Sequence, residues 1–279
     1  MNGLEVRAKS SRAILWLLLV AVTVLYGFPF VYLILTSFKP PLETIAVPAS
    51  VFGSQLTLDN YVSALSREGV AASFINSTVT AVLSTVISLV LAVPAAYAIT
   101  RYRTPGGQVF ILVALVCRMV PAIVVGVPLV ALFRDLGIAD TSFALAIAHT
   151  TLSLPLSIWL MTSFFDSVPD ELDEAARIDG CSRLAALRRV VLPVVSGGVA
   201  VTAIFAFLAS WNEFLFSLLL TAVRAQTTPI VIANFQTQFG LDWGAMTALA
   251  TLYSIPVVLL TLVLQRHIVA GLTLGAVKG

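Results

Sequence analysis

Six runs of apolar residues, at 13–35, 76–100, 109–132, 143–165, 197–220 and 246–265, leave this chain of 279 residues few ways to fold. Inside a bilayer no water pairs with an exposed backbone N–H or C=O, so a spanning segment must satisfy its own backbone as a helix or close into a barrel. Barrel strands alternate apolar and polar residues, and none of the six runs does. At 1.5 Å per residue the first run covers roughly 34 Å, enough for a hydrocarbon layer about 30 Å thick. Composition agrees: 59% of residues are hydrophobic and 11% charged, against about 25% charged in soluble domains. The expectation is an all-α, polytopic integral membrane protein with six transmembrane helices and one transmembrane domain over 1–279. The first run is too long for a signal peptide, and no small-residue cleavage site precedes Pro29 and Phe30.

Lys and Arg set the orientation. With the N-terminus placed in the cytoplasm, 11 of the 16 fall inside, from Arg7 through Arg101, Arg177 and Arg183 to Arg266 and Lys278. Four (Lys39, Arg67, Arg134, Arg224) fall outside, and Arg118 lies within the third run. The bias predicts cytoplasmic termini, with a C-terminal tail at 266–279. The net charge of +2 is then a topology signal and calls for no nucleic-acid partner.

Between the fourth and fifth runs stands one polar segment, 166–193, placed in the cytoplasm by the same bias. Ser167 with Asp170 reads as a capping box and Pro169 suits a first turn, so a helix is expected from about Val168. Asp170, Glu171, Asp173 and Glu174 favour its positive end, and Asp173 is spaced to pair with Arg177. Gly180 is expected to end that helix in the left-handed conformation. Ser182 is placed to cap a second helix, 183–191, stopping at Pro193. Connections in helical bundles usually take 2–8 residues, and a loop of this length with its own caps and a small-residue face suggests docking.

No chemistry of its own is expected from the chain. It lacks a Gly-x-x-x-x-Gly-Lys-Ser/Thr phosphate loop and any His/Asp/Ser set or paired carboxylates placed for catalysis. Cys117 and Cys181 fall at different depths, so neither a disulfide nor a metal site is expected.

Glu174-Ala175-Ala176, Asp179-Gly180 and Val190-Val191-Leu192-Pro193 resemble the "EAA" loop of the permease subunits of ABC importers. Cys181 and Val190 stand where Ala and Ile are more usual. Within that family the chain is similar to the carbohydrate branch, and specifically to the six-helix second permease of maltose-type systems. Thr36-Ser37-Phe38-Lys39-Pro40, Leu58-Asp59-Asn60-Tyr61, Trp211-Asn212-Glu213-Phe214-Leu215 and the C-terminal Gly271-Leu272-Thr273 with 275–279 carry that likeness.

The resemblance implies a location in a bacterial or archaeal cytoplasmic (inner) membrane. It also implies a second homologous permease, two ATPase subunits and an extracytoplasmic solute-binding protein as partners, with ATP and Mg held by the ATPases and no cofactor on this chain. Glu174, Ala175, Ala176, Asp179, Gly180, Leu192 and Pro193 would couple to the ATPase. Gly275, Ala276, Val277 and Lys278 would add a C-terminal contact with it.

A charge in the bilayer core is costly and usually turned inward, so polar residues in the apolar runs are candidates for a solute pathway. Trp211, Asn212 and Glu213 combine an aromatic face with hydrogen-bonding groups, which suits a sugar; alternatively Glu213 satisfies a neighbouring helix. Arg118 is expected to make a structural ion pair or a helix-carbonyl contact, and His149 to be a packed, hydrogen-bonded group. The segment 226–243 is either a reach toward the binding protein or an exposed turn. The alternative function, a secondary transporter or channel subunit for a small polar solute, would call for repeats with interrupted helices or would leave the long capped loop without a purpose.

Overall fold

The computed structural model describes residues 2–48, 50–237 and 240–276. The first apolar run lies within α1 (Asn2–Ser37), followed by a 3-10 turn at Pro41–Ile45 and by α2 (Asp59–Ser66). Next come α3 (Val70–Arg101), α4 (Gly107–Cys117), α5 (Ala122–Asp135) and α6 (Ser142–Asp166). The polar segment forms α7 (Glu171–Ile178), α8 (Arg183–Ala186), a π-helical turn at Leu187–Val191 and α9 (Leu192–Val194). After α10 (Ser196–Trp211), α11 (Leu215–Leu220) and α12 (Thr228–Ala233), a short antiparallel pair, β1 (Gln236–Thr237) and β2 (Gly240–Leu241), precedes α13 (Trp243–Ala276). The segment 226–243 is therefore more than an exposed turn.

Among the described residues, the helices at Ile14–Ser37, Val70–Arg101, Ser142–Asp166 and Trp243–Val263 are each long and apolar enough to cross a membrane. Two bent pairs raise the number to as many as six. The third run is not one straight helix: α4 and α5 meet at 90°. Pro121 lacks an N–H and pushes Val120 away from helical geometry, and the chain turns through i→i−3 bonds from Met119 to Val116 and Val120 to Cys117. Arg118 sits in this break, exposed and without an ion pair among the described residues, contrary to the expected internal contact. The fifth run is likewise interrupted, between Trp211 and Leu215.

The chain divides into two compact units. In the first, Met1–Glu68 with Ile232–Ser254, two of the sequence motifs meet. Asn60 Nδ2 donates to Ser37 O and Lys39 O at 2.9 and 2.7 Å, while the Tyr61 and Ser37 hydroxyls lie 2.7 Å apart. Lys39 is buried, its ammonium 4.8 Å from the centre of the Tyr32 ring and bonded to Ser50 O. Gly244 packs so closely here that a Cβ would lie 2.3 Å from Asn60 Oδ1, which explains a glycine at the start of α13.

In the second unit, Gly69–Val231 with Ile255–Gly279, α3 packs along α6 with buried small residues. Buried Ala81, Ser84, Ser88, Ala92 and Ala96 lie along α3 and buried Ala146, Thr150, Ser153 and Ser157 along α6. Small side chains let the two backbones approach, and the Ser88 and Ser153 hydroxyls meet at 2.6 Å. α10 packs on both helices. One apolar core lies at the C-terminal half of α6, where Met161 and Phe165 join Ala96, Tyr97, Val168, Leu187 and Val191. A second lies at its N-terminal half, where Leu145 and Ala148 join Phe133, Phe216 and Leu220.

Candidate functional site

The polar segment is a pair of short helices with defined ends, though not all the expected ones. Eight residues are too few for a stable isolated helix, so α7 depends on its surroundings. The expected capping box does not form: Ser167 Oγ donates to Phe164 O at 2.7 Å, and α7 starts at Glu171 after an Asp170 that makes no side-chain cap. Nor does Asp173 pair with Arg177. It is buried, and both its oxygens accept from the Tyr97 hydroxyl, at 2.6 and 2.8 Å.

The C-terminal expectation holds in detail. Gly180 has φ +86°, its N–H bonds Arg177 O at 3.1 Å, and the Cys181 N–H bonds Ala176 O at 3.0 Å. That pair of bonds is the Schellman arrangement, which needs a left-handed residue at this place. Ser182 caps α8 as expected, accepting from the Ala185 N–H at 3.3 Å. Pro193 does not stop the helix. The Leu192 N–H reaches back five residues to Leu187 O, and this π turn takes up the backbone around the missing proline N–H so that helix continues to Val194. The chain turns only there, with 85° between the helices on either side.

Of the sequence-selected residues, Glu174, Ala175, Asp179 and Gly180 are exposed, whereas Ala176 is buried. Leu192 is half-buried and Pro193 exposed. Around them the polar segment shows apolar side chains to the outside: Ile178 is 85% exposed, Leu184 52% and Leu172 38%. An exposed apolar set among charges, on a helix with fixed ends, is the character of a docking surface.

The second set lies between α10 and α11. Trp211 is buried with its ring stacked on Phe207, centroids 5.4 Å apart. Asn212 is exposed, and its Nδ2 donates to Leu208 O at 3.0 Å. Glu213 is turned inward at 9% exposure. It accepts from the Phe216 N–H at 2.9 and 3.0 Å and from the Ser217 N–H at 3.2 Å, so it caps α11. His149 Nε2 lies 3.2 Å from Glu213 Oε2, and His149 Nδ1 lies 2.7 Å from Ser210 Oγ. His149 is thus the packed, hydrogen-bonded group expected of it. Asn212 alone of the three residues offers a free face.

The coupling and pathway sets do not converge on one site. For the C-terminal contact, Gly275 and Ala276 end α13, while Val277 and Lys278 lie outside the described residues.

Three contributors were not evident as site residues in the sequence. Tyr97 and Arg101, one helical turn apart on α3, meet α7 across more than sixty residues of chain. Asp140, at φ +55°, accepts from the backbone N–H groups of Ala222, Val223, Arg224 and Ala225 at 3.0–3.1 Å and fixes that loop. Partial burial would raise its pKa, but the four N–H donors win and hold the carboxyl below its ordinary value. The one available sign for Tyr97 and Arg101 is their i, i+4 spacing at the end of a span.

Known proteins resemble most of the chain. The family described as "Binding-protein-dependent transport system inner membrane component" matches residues 69–274. The trehalose transport system permease protein SugB of Mycobacterium tuberculosis is 36% identical over 96% of this chain and 98% of its own length. The diacetylchitobiose uptake system permease protein DasC of Streptomyces coelicolor is 34% identical over 95% and 97%. The trehalose/maltose transport system permease protein MalG of Thermococcus litoralis is 37% identical over 90% and 91%. In fold, the chain is similar to one from a bacterial ABC transporter involved in importing the acidic polysaccharide alginate. The TM-score is 0.77 at 22% identity, covering 93% of this chain and 97% of that one.

Proposed function

The chain belongs to the family of binding-protein-dependent transport system inner membrane components, and on that premise we propose that it is the permease subunit of an ATP-driven importer for a sugar, oligosaccharide or polyol. Relatives named for trehalose, diacetylchitobiose and maltose support the substrate class. In this reading α4 with α5 counts as one span and the fifth run, α10 with α11, as another, giving six transmembrane helices with both termini in the cytoplasm. A second homologous permease completes the pathway and two ATPase subunits hold ATP and Mg. An extracytoplasmic binding protein delivers the solute. The permease itself binds no cofactor and catalyses no reaction.

The observation that carries the proposal is the apolar surface at Leu172, Ile178 and Leu184 on helices held by the Gly180 turn and the Ser182 cap. α7 is the element that docks on an ATPase subunit. ATP binding closes the ATPase pair and moves α7, and the transporter passes between inward-facing and outward-facing arrangements. The permease contributes a difference in stability between those arrangements. Asn212 borders the solute route, and Trp211 and Glu213 set its position from behind. The C-terminal Gly275, Ala276, Val277 and Lys278 form a second contact with the ATPases.

Gly180→Val tests the coupling role. A β-branched residue in the left-handed region costs upwards of about 1–2 kcal/mol and displaces the α7–α8 turn without touching the spans. The variant is expected to insert normally, to lose most of the co-purifying ATPase and to abolish uptake. Normal co-purification together with normal uptake contradicts the proposal.

A further inference from the structure

We infer that Tyr97 and Arg101 are the positioning residues that make α3 and α7 one rigid body, so that α3 is the helix through which movement of the docked loop enters the membrane. The inference rests on the coupling role proposed above and adds the path by which it acts.

The last turn of α3 gathers both arms of the polar loop. Arg101 is almost wholly buried, with its side chain 5% exposed. One guanidinium nitrogen bonds Asp170, another donates to Val168 O at 3.0 Å, and Nε lies 3.4 Å from Asp173 Oδ2, a charge contact too poorly aligned for a hydrogen bond. The planar fork of arginine suits three acceptors at once, where a lysine offers a single point charge. The Tyr97 hydroxyl adds its bonds to both oxygens of Asp173, and its ring packs edge-on against Phe165, centroids 5.7 Å apart. On the other arm, the Arg183 guanidinium of α8 stands 4.6 Å from the centre of the Tyr102 ring. α7 also packs on the π turn and α8, which follow it in the chain, but among the described residues the side-chain hydrogen bonds and ion pairs of Asp170 and Asp173 go to Tyr97 and Arg101. The charged and hydrogen-bonding ties therefore run to α3.

α3 is suited to carry displacement. It is continuous over 32 residues despite Pro94, roughly 48 Å at 1.5 Å per residue. At its far end Asn76 Nδ2 donates to Arg224 O and Gln226 O at 2.8 and 3.1 Å, and Ser77 Oγ accepts from the Thr228 N–H at 2.9 Å. One helix thus holds the coupling loop at one end and, at the other, the loop that Asp140 also fixes.

The test needs no knowledge of the solute. In the assembled transporter, with Cys117→Ala and Cys181→Ala, nitroxide labels at Val90 on α3 and Glu171 on α7, both exposed, report their separation by pulsed electron spin resonance. Spectra are taken without nucleotide and with ATP in EDTA, which fills the ATPase sites without turnover. One narrow distance distribution, the same in both conditions, is expected for the unmodified pair. Arg101→Ala is expected to add a displaced population when ATP binds. Tyr97→Phe, which keeps the ring and loses only the hydroxyl, is expected to do so to a smaller extent. Arg101→Lys should fall between wild type and Arg101→Ala. Variants that keep the single distribution, or a wild-type distance that itself changes with ATP, overturn the inference. A wild-type complex that retains no ATPase instead overturns the coupling role beneath it.

Discussion

At the C-terminal end of α6, Asp173 reaches out of its own helix to Tyr97 on α3; beside the N-terminal half, Glu213 turns back onto the backbone of α11, the helix that it starts. Both carboxylates are buried and both stand at the beginning of a short helix. The first ties α7 to a distant element through side chains and leaves its outer face open. The second closes a local break in the fifth apolar run, with His149 beside it. The proposed transmission of force through α7 calls for such long-range ties, whereas the N–H ties of α11 hold a local shape.

The comparison breaks most readily at Glu213. Glu213→Ala leaves the buried Phe216 and Ser217 N–H groups without their acceptor. Each buried donor left without a partner costs about 1–3 kcal/mol, so a marked fall in thermal stability of the purified complex is expected. Glu213→Gln keeps an acceptor and should lose less. A stable Glu213→Ala protein with altered solute preference would move Glu213 into the pathway itself.

Asp140→Asn is next in size. It weakens four charge-assisted bonds, and given the partial exposure of the group the loss is roughly 1 kcal/mol. Because the folded-state pKa is lowered, the contribution of Asp140 is complete above its unfolded value of about 3.9 and is lost as pH falls through the lower folded value. Amide exchange at Ala222 to Ala225, taken relative to the intrinsic rate at each pH, should therefore be level from pH 8 to about 5 and accelerate only in stronger acid. In the Asn variant it should be faster throughout. The smallest effect is expected from Ser182→Ala, an exposed N-cap at the low end of the range, about 0.5 kcal/mol, read as faster exchange in α8 with assembly intact.

Much of the fold was legible where the deciding forces are local. A glycine at a left-handed turn and a serine before a helix act within a few residues and stand where the sequence places them, and the first, second, fourth and sixth apolar runs lie in helices long enough to cross a bilayer. The misses share one physical cause, competition from partners far along the chain. Ser167 with Asp170 has the spacing of a capping box, but Arg101 takes Asp170 and Ser167 bonds Phe164. Asp173 is spaced for Arg177, yet a buried tyrosine hydroxyl outcompetes an exposed ion pair. Pro193 was expected to end a helix, and a π turn absorbs it instead. The bend around Arg118 stands at a proline that the sequence marks, while its angle of 90° is not written there.

The docking of α7 on an ATPase subunit is tested most directly by photocrosslinking in native membranes from Ile178, the most exposed apolar side chain of the polar loop. A photoreactive residue at Ile178, with the partner subunits co-expressed, should form an adduct with an ATPase subunit, whereas the same probe at exposed Leu136, after α5, should form none. Equal labelling from both positions, or no adduct from Ile178 in a complex that still transports, would contradict the account.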